Sequence, residues 1–101
     1  MAALTIVYWR DIPAQVIAKR GRETAKRQLS DRFQQAIDAA SMRAKLAGAD
    51  AYLNEWRRAE PASCGEDLEQ EAASFAAKLE RDYDDARLAR LVAAGGRDAG
   101  A

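Results

Sequence analysis

The chain has 101 residues, 49% of them hydrophobic, and its 16 basic and 16 acidic side chains leave no net charge. That length supports one modest core. With no histidine in the sequence, the chain itself supplies no His general base, no Ser–His or Cys–His pair and no imidazole metal ligand. The single cysteine, Cys64, excludes an internal disulfide and cannot by itself hold zinc or an iron–sulfur cluster.

Residues 1–10 carry no basic segment ahead of their short apolar run, and no stretch reaches the roughly 20 apolar residues of a bilayer span. The sequence therefore predicts a cytoplasmic location and no membrane partner. Leu4 to Trp9 is rich in β-branched and aromatic residues and reads as a strand, with Leu4, Ile6 and Tyr8 on one face and Thr5, Val7 and Trp9 on the other. Arg10-Asp11-Ile12-Pro13 reads as a turn, because Pro13 fixes φ and lacks an N–H. Residues 14–19 then form a second, antiparallel strand that ends at Gly21. Arg22 to Leu29 is polar and is expected to be an extended connection.

Ser30 is placed to cap a helix over residues 31–47, whose Phe33, Ile37, Ala40, Ala44 and Ala47 recur at helical spacing, with Gly48 as its C′ residue. Residues 51–59 fit either a short helix capped by Asp50 or a strand. The strand is preferred, since a third strand gives the sheet a face wide enough for the helices. Pro61 ends this element. Ser63-Cys64-Gly65-Glu66 has the Ser-x-x-Glu form of a capping box. Leu68, Ala72, Phe75 and Leu79 mark a second long helix, and Asp84 or Asp85 recaps a terminal one through Leu88, Leu91 and Val92. The expected fold is α+β: a small, mostly antiparallel sheet in the order β-β-α-β-α with a terminal helix, and the helices packed on one face. The domain is expected to span residues 1–94, with 95–101 a disordered tail.

The neutral total hides an asymmetry. Residues 1–58 carry 11 basic and 6 acidic side chains, and residues 59–101 carry 5 and 10. The favoured explanation is that the two halves pack together and neutralise each other. Lys19, Arg20, Arg22, Lys26 and Arg27 put five cations in nine residues, near Tyr8, Trp9 and Arg10, with Arg10-Asp11 at the hairpin turn. Such a patch could neutralise phosphates. Trp56-Arg57-Arg58 ends the third element, and Trp9 and Trp56 could share the sheet; aromatics beside arginine favour protein interfaces. The candidate interaction surface comprises Trp9, Arg10, Asp11, Lys19, Arg20, Arg22, Lys26, Arg27, Trp56, Arg57 and Arg58. Cys64 precedes a predicted helix N-terminus, but Glu66, Asp67 and Glu69 oppose any lowering of its pKa, so it is expected to be inert. Glu80, Asp82, Asp84 and Asp85 lack the pattern of a calcium loop and read as a solvated helix junction. No catalytic residue, metal ligand or cofactor-binding residue is assigned.

Residues 4–16, Ala25-Lys26-Arg27-Gln28-Leu29, 32–38 and 51–58 (Ala51-Tyr52-Leu53-Asn54-Glu55-Trp56-Arg57-Arg58) together resemble a small bacterial "virulence factor" domain family. The resemblance covers roughly residues 3–93. It implies no catalytic motif. A related domain occurs in conserved virulence factor C proteins, beside a segment similar to iron–sulfur scaffolds; the Cys-x-x-Cys pair of such scaffolds is missing here. Stand-alone members of the family also suggest a link to one-carbon and corrinoid methyl transfer. The leading expectation is thus a non-enzymatic accessory protein whose partner is another protein. The alternatives are nucleic-acid binding through Lys19–Arg27, and a small subunit of a methyl-transfer or iron–sulfur system.

Overall fold

A computed structural model describes residues 2–45 and 49–97. Its elements run β1 (Ala2–Trp9), β2 (Ile12–Arg20), β3 (Glu23–Gln28), α1 (Asp31–Arg43), α2 (Ala49–Leu53), β4 (Trp56–Arg58), β5 (Ala62–Ser63), α3 (Leu68–Asp82) and α4 (Asp85–Ala93). The five strands form one antiparallel sheet in the order β3-β2-β1-β4, with β5 also paired to β1. The fold is α+β, as the sequence predicts.

The first hairpin closes on two residues, Arg10 and Asp11, and not on four. Ile12 and Pro13 already belong to β2, where Tyr8 faces Pro13 and Trp9 faces Ile12. Proline is tolerated there because the register shifts between Val7 and Tyr8, leaving Ala14 without a partner on β1. The Ala14 carbonyl instead accepts the N–H of Leu29 at 3.0 Å. The shift also corrects the expected faces of β1. Trp9, fully buried, joins Leu4 and Ile6 in the core, and Tyr8 stands outside it.

The polar stretch after Gly21 is a strand, β3, not a connection. Gly21 and Arg22 form a two-residue hairpin loop, and Gly21 supplies its positive φ of 59°. Only Ala25 of β3 is buried. Charged side chains along this outer strand discourage pairing with another chain.

Residues 51–59 divide: the first part lies in helix α2 and the second in strand β4. The Trp9 indole N–H donates to the Tyr52 carbonyl at 3.0 Å and fixes the short helix against the sheet. β4 then runs antiparallel to the end of β1, with Trp56 opposite Trp9. Helix α1 ends at Arg43, earlier than its apolar spacing suggests; Lys45 takes the positive φ of 57° there, and Gly48 lies outside the described residues. Ser63 belongs to β5, so the expected capping box does not form. Asp67 caps α3 instead, accepting from the Gln70 N–H. Asp84 caps α4 in the same way through Arg87.

One hydrophobic cluster joins the sheet residues Leu4, Trp9, Ile12, Val16, Ala18 and Ala25 to residues of α1, α3 and α4. Helix α3 lies across β2 and β3, and α1 packs on α4 and β2. Thr5, Val7, Tyr8 and Ile17 stand outside that cluster, so the helices share one face of the sheet. Gly95 and Gly96, expected in a disordered tail, are buried: the Gly96 carbonyl accepts the Asp11 N–H at 2.8 Å. Residues 98–101 of that expected tail lie outside the described residues.

The start of α1 is held by the end of α3. Ser30 does not cap its own helix; its N–H and hydroxyl both donate to the Glu80 carboxylate, at 2.7 and 2.8 Å. Arg32 donates to Glu80 Oε1 at 3.0 Å and to the carbonyls of Glu80 and Tyr83. Partial burial pushes the Glu80 pKa up, but the donors of Ser30 and Arg32 outweigh it and hold Glu80 below the ordinary carboxylate value. The stability this supplies is therefore complete above the unfolded-chain pKa of about 4.3 and is lost as pH falls through the lower folded value. Glu80→Gln is expected to cost about 1–2 kcal/mol at pH 7, since the pair is about a third exposed, and to flatten the acid limb of stability against pH. Urea melts between pH 7 and 3 measure both effects. Parallel acid limbs in the two proteins would show that Glu80 does not carry this dependence.

Candidate interaction surface

The register of β2 and β3 sorts the basic run onto two faces. Val16, Ala18 and Arg20 stand opposite Arg27, Ala25 and Glu23 on the core side. Gln15, Ile17 and Lys19 stand opposite Gln28, Lys26 and Thr24 on the side without helices. Side chains alternate along a strand, so cations adjacent in sequence meet different surroundings.

On the core side the cations meet acids. Arg20 donates to Glu23 at 2.9 Å and lies 3.7 Å from the Glu66 carboxylate; Arg27 lies 4.0 Å from that of Glu69. Both Glu66 and Glu69 flank the start of α3. The contacts with Glu66 and Glu69 are the neutralisation between halves that the sequence predicts, though they take up only part of the basic run. Lys19, Arg22, Lys26 and Arg58 make no ion pair among the described residues, and all four are exposed.

The Arg10 turn is a separate, well-anchored cluster. Arg10 has a φ of 53°, a strain of about 1–2 kcal/mol for a residue with a Cβ. Its N–H donates to the Glu55 carbonyl at 3.0 Å, and its guanidinium donates to Glu55 Oε1 at 2.9 Å and the Gly95 carbonyl at 2.8 Å. Arg57 Nε donates to the Arg10 carbonyl, and its Nη2 donates to Asp11 at 3.1 Å. These bonds tie the hairpin to β4 and to the C-terminal glycines. They account for the Arg10 side chain being only 13% exposed.

Trp9 and Trp56 are corrected as surface residues. Trp9 is fully buried, and Trp56 is half-buried against the core with its ring edge-on to Tyr52. The sheet does pair them, as expected. The aromatic ring outside the core is that of Tyr8, which the sequence reading set beside the basic run but left out of the candidate surface. The Arg57 guanidinium covers it at 4.5 Å from the ring centroid. Arg58 stands opposite Val7, one position along, so it points away from Arg57 and to the side of Gln15 and Lys19. The uncovered face thus presents Lys19, Lys26 and Arg58 around Thr5, Val7, Gln15 and Ile17. Among the described strands Glu23 is the only carboxylate, and it lies on the other face. Asp11 flanks this surface at the turn, paired with Arg57.

Of the remaining candidates, Cys64 is half-buried. Burial, and then the charges of Glu71 and Glu66, push its thiol pKa up, away from a reactive thiolate. The acidic junction serves structure through Glu80 and the Asp84 cap, and Asp85 lies 3.4 Å from Arg32. Among the described residues no three Cys, Asp or Glu side chains group as a metal site would need, and no helix is long and apolar enough to cross a membrane.

Compared with known protein families, residues 7–92 match the family described as "Virulence factor". No curated protein and no solved structure matches the chain.

Proposed function

The chain belongs to the virulence factor family, and from that premise we propose that it is a non-enzymatic accessory protein that binds an acidic protein partner through its uncovered sheet face. The observation that carries this reading is the distribution of charge: Lys19, Lys26 and Arg58 share a face on which the described strands place no carboxylate. Complementary charge of this kind steers association and fixes the register of docking. The half-buried Val7 and the buried Ile17 give the centre of the face an apolar character, as protein interfaces have.

A protein partner is favoured over nucleic acid by the fate of the aromatics. Stacking platforms need open rings. Trp9 is buried, Trp56 packs on the core, and the Tyr8 ring is already covered by Arg57.

The test is affinity purification of the tagged protein from its host cells, with and without nuclease, beside a Lys19→Glu/Lys26→Glu/Arg58→Glu variant. All three positions are exposed, so the variant should fold normally. A stoichiometric protein that survives nuclease is expected, with its affinity lowered at least about tenfold in the variant, or about 1.4 kcal/mol. Loss of all partners on nuclease treatment would promote nucleic-acid binding instead. A partner bound equally by the variant would move the contact elsewhere. A cofactor-bearing enzyme as the partner would specify the accessory role as that of a small subunit.

A further inference from the structure

The helix-covered side of the sheet carries a cleft of about 330 Å³ between β5 and α3. Its apolar floor is made by Leu4, Ala62 and Phe75. Successive turns of α3 place Glu71, Ser74, Phe75, Lys78 and Arg81 along one wall, in the i, i+3, i+4, i+7 pattern of a single helix face. The volume is at the small end of the range for clefts that hold metabolites.

Charge is unevenly distributed along this wall. At the β5 end, Glu71 accepts a hydrogen bond from the Gly65 N–H, so its carboxylate already has a donor. About 10 Å further along the helix, from the rise per residue, stands Lys78, and Arg81 is one turn beyond it. Both are exposed, and neither makes an ion pair among the described residues. The neighbouring Glu80 is occupied by Ser30 and Arg32. The Lys78 ammonium lies 5.6 Å from the centroid of the Phe75 ring, at the border between floor and cations. Two like charges one turn apart repel each other, and an anion between them relieves that repulsion.

We propose that this cleft binds a small amphipathic anion, its apolar chain lying over Leu4, Ala62 and Phe75 and its carboxylate or phosphate held by Lys78 and Arg81. The site is distinct from the uncovered sheet face, and neither depends on the other. Cys64, which also lines the cleft, reports its occupancy.

The probes are octanoate and octyl phosphate at submicellar concentration, with octylammonium and inorganic phosphate as controls. Saturable shifts of the Phe75 and Cys64 resonances are expected with either amphipathic anion, and slower alkylation of Cys64 by iodoacetamide. The tighter of the two identifies the headgroup. Octylammonium and inorganic phosphate are expected to bind at least tenfold more weakly. Lys78→Gln/Arg81→Gln should weaken octanoate or octyl phosphate binding at least tenfold, with an unchanged melting temperature and unchanged capture of the protein partner. Equal binding of octylammonium, no binding of either anion, or full affinity in the double variant would each overturn the proposal.

Discussion

Trp9→Ala is expected to remove about 3–5 kcal/mol of stability, a large share of the roughly 5–15 kcal/mol available to a domain of this kind. Trp9 is fully buried at the point where the sheet, α2 and the C-terminal glycines meet. Its ring lies 5.7 Å from that of Tyr52, and the Arg10 guanidinium sits 5.3 Å from its centroid. Truncation opens a cavity larger than that left by any aliphatic core residue. It also strips the Tyr52 carbonyl of its indole donor, leaving it only the longer bond from the Glu55 N–H at 3.3 Å. Trp9→Phe separates the two effects: it keeps most of the ring packing, loses the N–H, and is expected to cost about 1–3 kcal/mol. Urea denaturation followed by far-UV circular dichroism measures both. A loss below about 1 kcal/mol in Trp9→Ala would mean that α2 and the glycines collapse into the vacated space, and that Trp9 does not organise this end of the molecule.

That end shows why some of the architecture was legible in the sequence and some was not. The apolar spacing of Phe33, Ile37 and Ala40, and of Leu68, Ala72 and Leu79, is local, and it marked α1 and α3 correctly. The β-branched run of β1 was equally plain. What escaped was set by pairing between distant residues. β3 buries a single side chain, Ala25, so its sequence carries almost no alternation. Its signal was Gly21, which supplies the positive φ of a two-residue hairpin, and it was read as a strand end alone. Tyr8 and Trp9 exchanged faces because the β2 partner strand carries one extra residue, which nothing in β1 encodes. Ser30 and Ser63 look like helix caps, but Ser30 was captured by Glu80, 50 positions away, and Ser63 by strand pairing with Ala3. The basic run was found as composition. Its division into acid-paired Arg20 and Arg27 and open Lys19 and Lys26 follows from strand parity, and parity could be applied only once β3 was recognised as a strand. The α3 cleft needed β5, whose two residues have no sequence signature at all.

Gly96→Ala is expected to cost roughly 3 kcal/mol, from backbone strain plus overpacking. Gly96 has a φ of 94°, which residues with a Cβ rarely adopt. A Cβ there would stand 2.7 Å from Cζ3 of Trp9, inside van der Waals contact with a ring that is itself fully buried. Gly21→Ala provides the control. Gly21 also has a positive φ, 59°, but open space surrounds its missing Cβ, so strain alone applies, at about 1–2 kcal/mol. The difference between the two variants isolates the collision with Trp9. Thermal denaturation should place Gly96→Ala at least about 10 °C below the wild type, with Gly21→Ala between them. The consequence extends to the proposed contact face. The Gly96 carbonyl receives the Asp11 N–H and the Gly95 carbonyl receives Arg10, and the same turn holds Arg57 through Asp11 and the Arg10 carbonyl. Displacing Gly96 therefore loosens Arg57 and with it β4, the strand that carries Arg58 onto that face. Gly96→Ala should weaken partner binding even below its melting temperature, whereas Gly21→Ala should leave it unchanged. Equal melting temperatures for the two alanine variants would show that the C-terminal glycines yield without moving Trp9, and that the Arg10 turn is held by Glu55 alone.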